Sequence, residues 1–248
     1  MVFIPAEKTA AGKKAGTILV AHGGGFGIRT GCEGPNIAWF FHQKGYNTAI
    51  LTYRLLPYTR FDAIADMQRA IRLLRYQKEA LGISDRITVM GFSAGGMLSA
   101  NCATLFHGPD SEALDPVDRM SDRPDGAVIG YGAITAISFP KPFLSEPDWK
   151  DDLCGETLQE RYLLAAEKHV RPDGPPFFIW QTLSDDGRFG MILAKALADV
   201  GVPYELHIFE GGVHGIGMAD GENDLGMTVP HITHWGTLCD EWMQLHNL

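Results

Sequence analysis

Cysteine and positive charge are both scarce in this 248-residue chain, and each shortage removes a class of function. The four cysteines, Cys32, Cys102, Cys154 and Cys239, stand far apart, with no Cys-x-x-Cys pair of the kind that holds zinc or runs dithiol chemistry. Free buried thiols are the expected reading. Lysine and arginine number 21 against 30 aspartates and glutamates, a net charge of −9, and the longest basic run is Lys13-Lys14. Such a surface neither neutralises a line of phosphates nor docks on an anionic membrane, so neither nucleic acid nor membrane is expected as a partner. No apolar stretch approaches the roughly 18 residues of a membrane span. The first sixteen residues hold only Val2-Phe3-Ile4 as an apolar piece, short of a signal-peptide core. A cytoplasmic location is expected, although a leader already removed would leave the same sequence.

What the chain does have is 45% apolar residues, and at this length area scaling implies that roughly 70% of the unfolded surface can be buried. That makes a core without disulfide or metal staples. Short runs rich in apolar, β-branched or aromatic residues at 17–21, 47–52, 86–90, 126–131, 176–181 and 204–209 predict buried strands. Helical patterns fall between most of them, at 36–44, 61–81, 94–105, 158–168, 188–200 and 231–245. In the clearest, Ile64, Met67, Ile71 and Leu74 recur at three- to four-residue steps, with Arg69, Arg72 and Arg75 on other faces and Gly82 as the C-terminal cap. Alternating strands and helices predict an α/β fold, a mainly parallel sheet with helices on both faces. No repeat, low-complexity tract or polar linker interrupts residues 1–248, so a single domain is expected. One segment breaks the alternation: 135–154 is an aromatic, proline-bearing insertion, longer than an ordinary connection and expected to form a lid or pocket wall.

The sharpest chemical signal is Gly91-Phe92-Ser93-Ala94-Gly95-Gly96, between a predicted strand and a predicted helix. A serine on so tight a turn needs glycine where a Cβ would collide with neighbouring chain, and its oxygen then stands free at the C-terminal edge of the sheet. A second signal is His22-Gly23-Gly24-Gly25-Phe26 after the strand at 17–21. Bare glycine amides there suit a developing oxyanion, with Gly24, Gly25 and the amide after the nucleophile, Ala94, as donors. His22 itself is expected to shape the loop.

A serine hydroxyl is a weak nucleophile and needs a base, which in turn needs an orienting carboxylate. Among nine histidines, His214 in Gly211-Gly212-Val213-His214-Gly215 lies at the C-terminal end of a strand and between glycines, so it is the expected base. The acid is expected in Ser184-Asp185-Asp186-Gly187, after the preceding strand. Ser93, Asp185, His214 is the chain order of α/β-hydrolases, with Asp186 as the fallback acid.

Together with Tyr53-Arg54-Leu55 and the stretch from Trp180 to Asp185, these motifs make the chain resemble α/β-hydrolases of the short HGGG-type esterase group, similar to acetyl-xylan and feruloyl carbohydrate esterases and to hormone-sensitive-lipase-like esterases. The resemblance implies the α/β-hydrolase fold and aligns Trp180-Gln181-Thr182 with the opening of the acid loop, which puts the acid on Asp185. It also implies a serine carboxylesterase acting on short acyl esters of small molecules, acetyl first among them and carbohydrate esters included, with neither cofactor nor metal. Two departures stand out. Only residues 2–5 remain as a strand ahead of the glycine loop, so the sheet is expected to be short at that edge, and Arg188-Phe189 stands where relatives carry Val-Pro. Phe26, Phe139, Phe143, Trp149 and Phe189 are candidates to line the substrate pocket or, equally, to pack in the core. An amide, peptide or arylformamidase-type hydrolase on the same triad stays open, as do a non-catalytic binding protein on this scaffold and a homodimeric assembly.

Overall fold

Strands that are apolar on both faces can only be buried between two layers of helix, and the computed structural model has that arrangement. It describes residues 1–7, 15–138, 155–222 and 225–248. Seven strands, β1 (Val2–Ile4), β2 (Thr17–Ala21), β3 (Asn47–Leu51), β4 (Ile87–Phe92), β5 (Gly126–Gly130), β6 (Phe177–Thr182) and β7 (Tyr204–Phe209), form one sheet in the order β1-β3-β2-β4-β5-β6-β7. All neighbouring pairs from β3 to β7 run parallel; β1 alone is antiparallel, against β3, and it is the short edge that residues 2–5 imply.

Alternation along the strands sorts side chains into two cores. Leu19 and Ala21 of β2, Val89 of β4 and Ile179 of β6 face helices α2 (Arg60–Tyr76), α4 (Ala94–Thr104) and α6 (Arg188–Val200). Ile18, Val20, Met90 and Trp180 face α1 (Ile37–Gln43) and α7 (Pro230–Leu245), where Phe41, Trp235 and Trp242 fill the opposite layer. Helix α4 is buried on every side, which suits its mostly small and apolar sequence; the polar Asn101 within it is met by Arg60 and by Leu164 O.

The chain leaves β2 through α1 to reach β3 on one side, then crosses back to β4 on the other. The order therefore reverses between β2 and β4, and the crevice outside the C-terminal ends of parallel strands opens at such a point.

Two helices differ from the sequence reading. The helix expected over 61–81 breaks at Gln77, and its last turn, α3 (Lys78–Leu81), has no fully buried residue and reaches the core through the partly buried Leu81. Gly82 caps it in the left-handed conformation, as the sequence implies. The helix expected over 158–168 is α5 (Leu158–Leu164) followed by a separate 3-10 turn, Ala166–Lys168, because Ala165 between them is extended. Among the described residues, no helix is long and apolar enough to cross a membrane, Cys32, Cys102 and Cys239 are buried, and Cys102 and Cys239 are free thiols.

The arginines of α2 are paired rather than merely solvated. Arg69 reaches Asp115 and Asp118, Arg72 reaches Asp118 and Asp122, and Arg75 reaches Asp125. Asp122 is the fully buried member. It accepts the Arg72 guanidinium at 2.8 Å and the His107 amide at 2.5 Å. Removing a buried partner leaves groups that water cannot reach, whereas an exposed pair contributes little. Asp122→Ala is therefore expected to lower stability by about 3 kcal/mol in urea unfolding. Arg69→Ala should leave the midpoint almost unmoved.

Candidate active site

Between the end of β4 at Phe92 and the start of α4 at Ala94, Ser93 alone makes the turn. Its backbone sits at φ 53° and ψ −120°, strain on the order of 1–3 kcal/mol for a residue with a side chain. The surroundings hold it there: the Ser93 amide donates to Gly130 O at 3.0 Å, and its carbonyl accepts from Met97 at 3.0 Å. A Cβ at Gly95 would lie 2.1 Å from the carbonyl oxygen of Ala21, so only glycine lets α4 start this close to the end of β2.

The turn presents Ser93 Oγ to the loop after β7, where it lies 2.7 Å from Nε2 of His214. On the far side of the ring, Nδ1 is 2.5 Å from Oδ1 of Asp185, whose other oxygen accepts from Thr182 Oγ1 at 3.0 Å. With the ring proton on Nδ1, donated to the carboxylate, Nε2 has a free lone pair for the serine proton. Asp185 is 2% exposed, whereas the His214 side chain is 38% exposed, so the carboxylate is sealed and the imidazole faces the crevice. Partial burial pulls the imidazole downward. The Asp185 hydrogen bond and charge, with the charge of Glu33, outweigh it, and His214 titrates above its ordinary value.

The structure thus brings Ser93, His214 and Asp185 together and turns Asp186 elsewhere. Asp186 has φ 58° and its carboxylate is held by the Arg188 guanidinium, which keeps it below the usual carboxylate range.

The glycine loop lies beside the serine. Gly24 O accepts from both Gly27 and Ile28 at 3.0 Å, which closes the loop into a turn. The Gly23 amide is engaged by Glu33 Oε2 at 3.0 Å, leaving Gly24 and Gly25 as the loop's candidate oxyanion donors. Ala94 occupies the first turn of α4, where amides lack intrahelical partners. His22 is 2% exposed, stacks on Tyr53 with ring centroids 4.5 Å apart, and takes the Tyr53 hydroxyl on its carbonyl at 2.8 Å. Burial lowers its pKa despite the Gly23 carbonyl contact, as suits a neutral loop-shaping residue.

Of the aromatics considered for the pocket, Phe26 and Phe189 are each 3% exposed and belong to the core on the α2–α4–α6 side. Phe139, Phe143 and Trp149 lie outside the described residues. Two residues at the site escape sequence reasoning: Glu33, in the five-residue π-helical turn Cys32–Asn36 ahead of α1, and Tyr131, directly after β5. Tyr131 carries one usable signal, its place at a strand's C-terminal end. Glu33 carries none, since a glutamate in a glycine-rich loop reads as solvated. Among the described residues, no cluster of three His, Cys, Asp or Glu side chains is placed to hold a metal ion.

A family model described as BD-FAE matches residues 2–187, a span that contains the glycine loop, Ser93 and Asp185 and ends before His214. Among solved structures, an acetyl ester-xyloside bifunctional hydrolase from Caldicellulosiruptor lactoaceticus is 33% identical with a TM-score of 0.87, covering 99% of this chain and 88% of that one. A carboxylesterase from Lactobacillus plantarum superposes with a TM-score of 0.80 over 99% of this chain and 91% of its own, at 21% identity, a likeness of fold. The fold is that of the α/β-hydrolases. An endo-1,4-beta-xylanase B from Butyrivibrio fibrisolvens is 29% identical across 84% of this chain, and the chain spans about a third of that curated relative's length, 34%.

Replacing Asp185 by Asn offers His214 the wrong partner, so reaction of Ser93 with a fluorophosphonate should slow by a factor on the order of 10³–10⁴. Asp186→Asn should react at close to the wild-type rate. Intact-mass kinetics on both variants measures the difference.

Proposed function

The chain belongs to the BD-FAE family, and from that premise we propose that it is a serine carboxylesterase that removes short acyl groups, acetyl first among them, from carbohydrate esters. The observation that carries the reading is the unbroken relay from Ser93 through His214 to Asp185, at 2.7 Å and 2.5 Å. His214 takes the serine proton as Oγ adds to the ester carbonyl, and the amides of Gly24, Gly25 and Ala94 receive the oxyanion. Collapse expels the alcohol, which leaves with the proton from His214, and the acyl group remains on Ser93. A water then gives its proton to His214 and adds to the acyl carbon. The second collapse releases the carboxylic acid and returns the proton to Ser93.

Two things support a carbohydrate leaving group. The similar structure from C. lactoaceticus is named for an acetyl ester and a xyloside, and the curated relative for xylan. A cavity of about 650 Å³ also opens between residues 56–61 and 155–164, where Tyr58 and Phe61 offer apolar faces and Thr59, Glu156 and Glu160 offer polar groups. Its walls are tied to the elements that carry the site: the Leu56 amide donates to Phe26 O at 2.8 Å, one residue from Gly25, and Arg60 donates to Met97 O at 3.3 Å in the first turn of α4. Aromatic faces with interspersed polar groups suit a sugar ring's alternating C–H and O–H surfaces.

Ser93→Ala should lower hydrolysis of p-nitrophenyl acetate by a factor on the order of 10⁴ or more; wild-type turnover in that variant would overturn the serine mechanism. Rates across a series from acetate to octanoate are expected to fall with chain length, and acetylated xylo-oligosaccharides to be cleaved faster than p-nitrophenyl acetate at equal concentration. The pH profile has a fixed sign. The base works only when neutral, and His214 is held above its ordinary value, so kcat/KM should fall as pH drops, with a midpoint above about 6.5. An acid limb flat to pH 4.5 would remove His214 as the base.

A further inference from the structure

The carboxyl group of Glu33 is 1% exposed, so its oxygens depend wholly on protein donors, and the donors come from three separate parts of the site. Oε2 accepts from the Gly23 amide at 3.0 Å and from Thr30 Oγ1 at 2.5 Å. Oε1 accepts from the Tyr131 hydroxyl at 2.7 Å. The Tyr131 oxygen in turn accepts from the Gly217 amide at 3.0 Å, three residues beyond His214, and its ring meets the His214 imidazole edge-on with centroids 5.3 Å apart. Glu33 is also close to the nucleophile: a Cβ built on Gly23 would lie 2.1 Å from Glu33 Oε2 and 3.0 Å from Ser93 Cβ, so one glycine separates carboxylate from serine.

We propose that Glu33 is a positioning residue for acyl transfer, a single buried carboxylate that fixes the oxyanion loop through Gly23 and the histidine loop through Tyr131, and so sets the distance between the oxyanion donors and the base. The proposal rests on the serine-esterase reading above. It assigns Glu33 no contact with the substrate. A loop that bears oxyanion donors and is free to shift by about 1 Å loses on the order of a hundredfold in rate, and a glycine-rich loop has no side chains of its own to prevent that. Glu33 also adds, after Asp185, to the electrostatic effects that raise the His214 imidazole. Among the described residues, the groups that meet His214 include Asp185 at Nδ1, Ser93 at Nε2 and the Tyr131 ring, and Cys32 Sγ lies 3.9 Å from the carbonyl oxygen of the next residue, Gly215.

The test is steady-state kinetics on p-nitrophenyl acetate from pH 5 to 9 for Glu33→Gln and Tyr131→Phe, with thermal melting to establish folding. Glu33→Gln should lower kcat by about 10- to 100-fold with KM within about threefold, and should move the acid limb to lower pH because the charge is gone. Tyr131→Phe keeps the Glu33 carboxylate but removes the hydroxyl that joins its Oε1 to the Gly217 amide, so kcat should fall while the acid limb stays in place. A carboxylate that merely packs would move neither kcat nor the limb: a folded Glu33→Gln with both unchanged overturns the proposal. If Glu33→Gln does not fold, unchanged kinetics in Tyr131→Phe overturn it instead, and if neither folds the same readouts on Thr30→Val decide. Fluorophosphonate labelling of the wild type keeps the two readings apart. Wild-type protein unlabelled at Ser93 overturns the serine mechanism itself, whereas a labelled wild type beside unaffected variants removes Glu33 alone.

Discussion

Six strands running in one direction must all finish at the same edge, and the triad, the glycine loop, Tyr53 and Tyr131 all depend on that. β2 delivers His22 and the glycines, β3 Tyr53, β4 Ser93, β5 Tyr131, β6 Asp185 and β7 His214, each within five residues of its strand's last paired position. The register aligns those ends: Ala21 pairs with Gly91, Phe92 with Gly130, and Thr182 with Phe209. An antiparallel sheet would send half of these residues to the opposite edge. Parallel pairing requires a crossover for each strand, and the crossovers are the helices whose packing makes both faces apolar.

Once the residues share an edge, the task is to hold them at hydrogen-bonding distance, and buried polar groups beneath the crevice do it. Asp185 and Glu33 are both nearly sealed from water, and each is met by protein donors, His214 and Thr182 for the first and Gly23, Thr30 and Tyr131 for the second. A buried carboxylate without donors would be strongly unfavourable, so each one fixes its donors as firmly as they satisfy it. The strained backbone of Ser93 is stabilised likewise, by neighbours on β5 and α4 whose own positions come from core packing. The rigidity of the site is thus borrowed from the two cores.

How much of this is legible in the sequence follows from the range of each signal. The strands Thr17–Ala21 and Tyr204–Phe209 and the helix Arg188–Val200 end where the sequence pattern ends, because their limits are set by local apolar periodicity and by Gly201. Strand β4 runs two residues past its predicted end, since the tight turn takes Gly91 and Phe92 into the sheet. Ser93 and His214 are readable because glycines a residue or two away announce the turns they need. Glu33 and Tyr131 are 98 residues apart, and no local pattern links them; their bond exists only once β5 lies in the sheet. Phe26 and Phe189 were ambiguous between pocket and core for the same reason, as burial is decided by elements far along the chain.

The adjacent aspartates show how chain neighbours are separated for different work. Thr182 is the last residue of β6, and a single 3-10 turn, Leu183–Asp185, carries the chain off the sheet. Asp185 ends that turn with its carboxylate inward, against Thr182 and His214. Asp186 then takes a left-handed backbone, which reverses the side chain's direction, and Arg188 at the start of α6 holds it there. The arginine thus supplies a partner for the second aspartate. Without a cation there, two neighbouring carboxylates would compete for one imidazole and repel each other across the turn. With it, the outer carboxylate is neutralised locally and the inner one is left to orient His214.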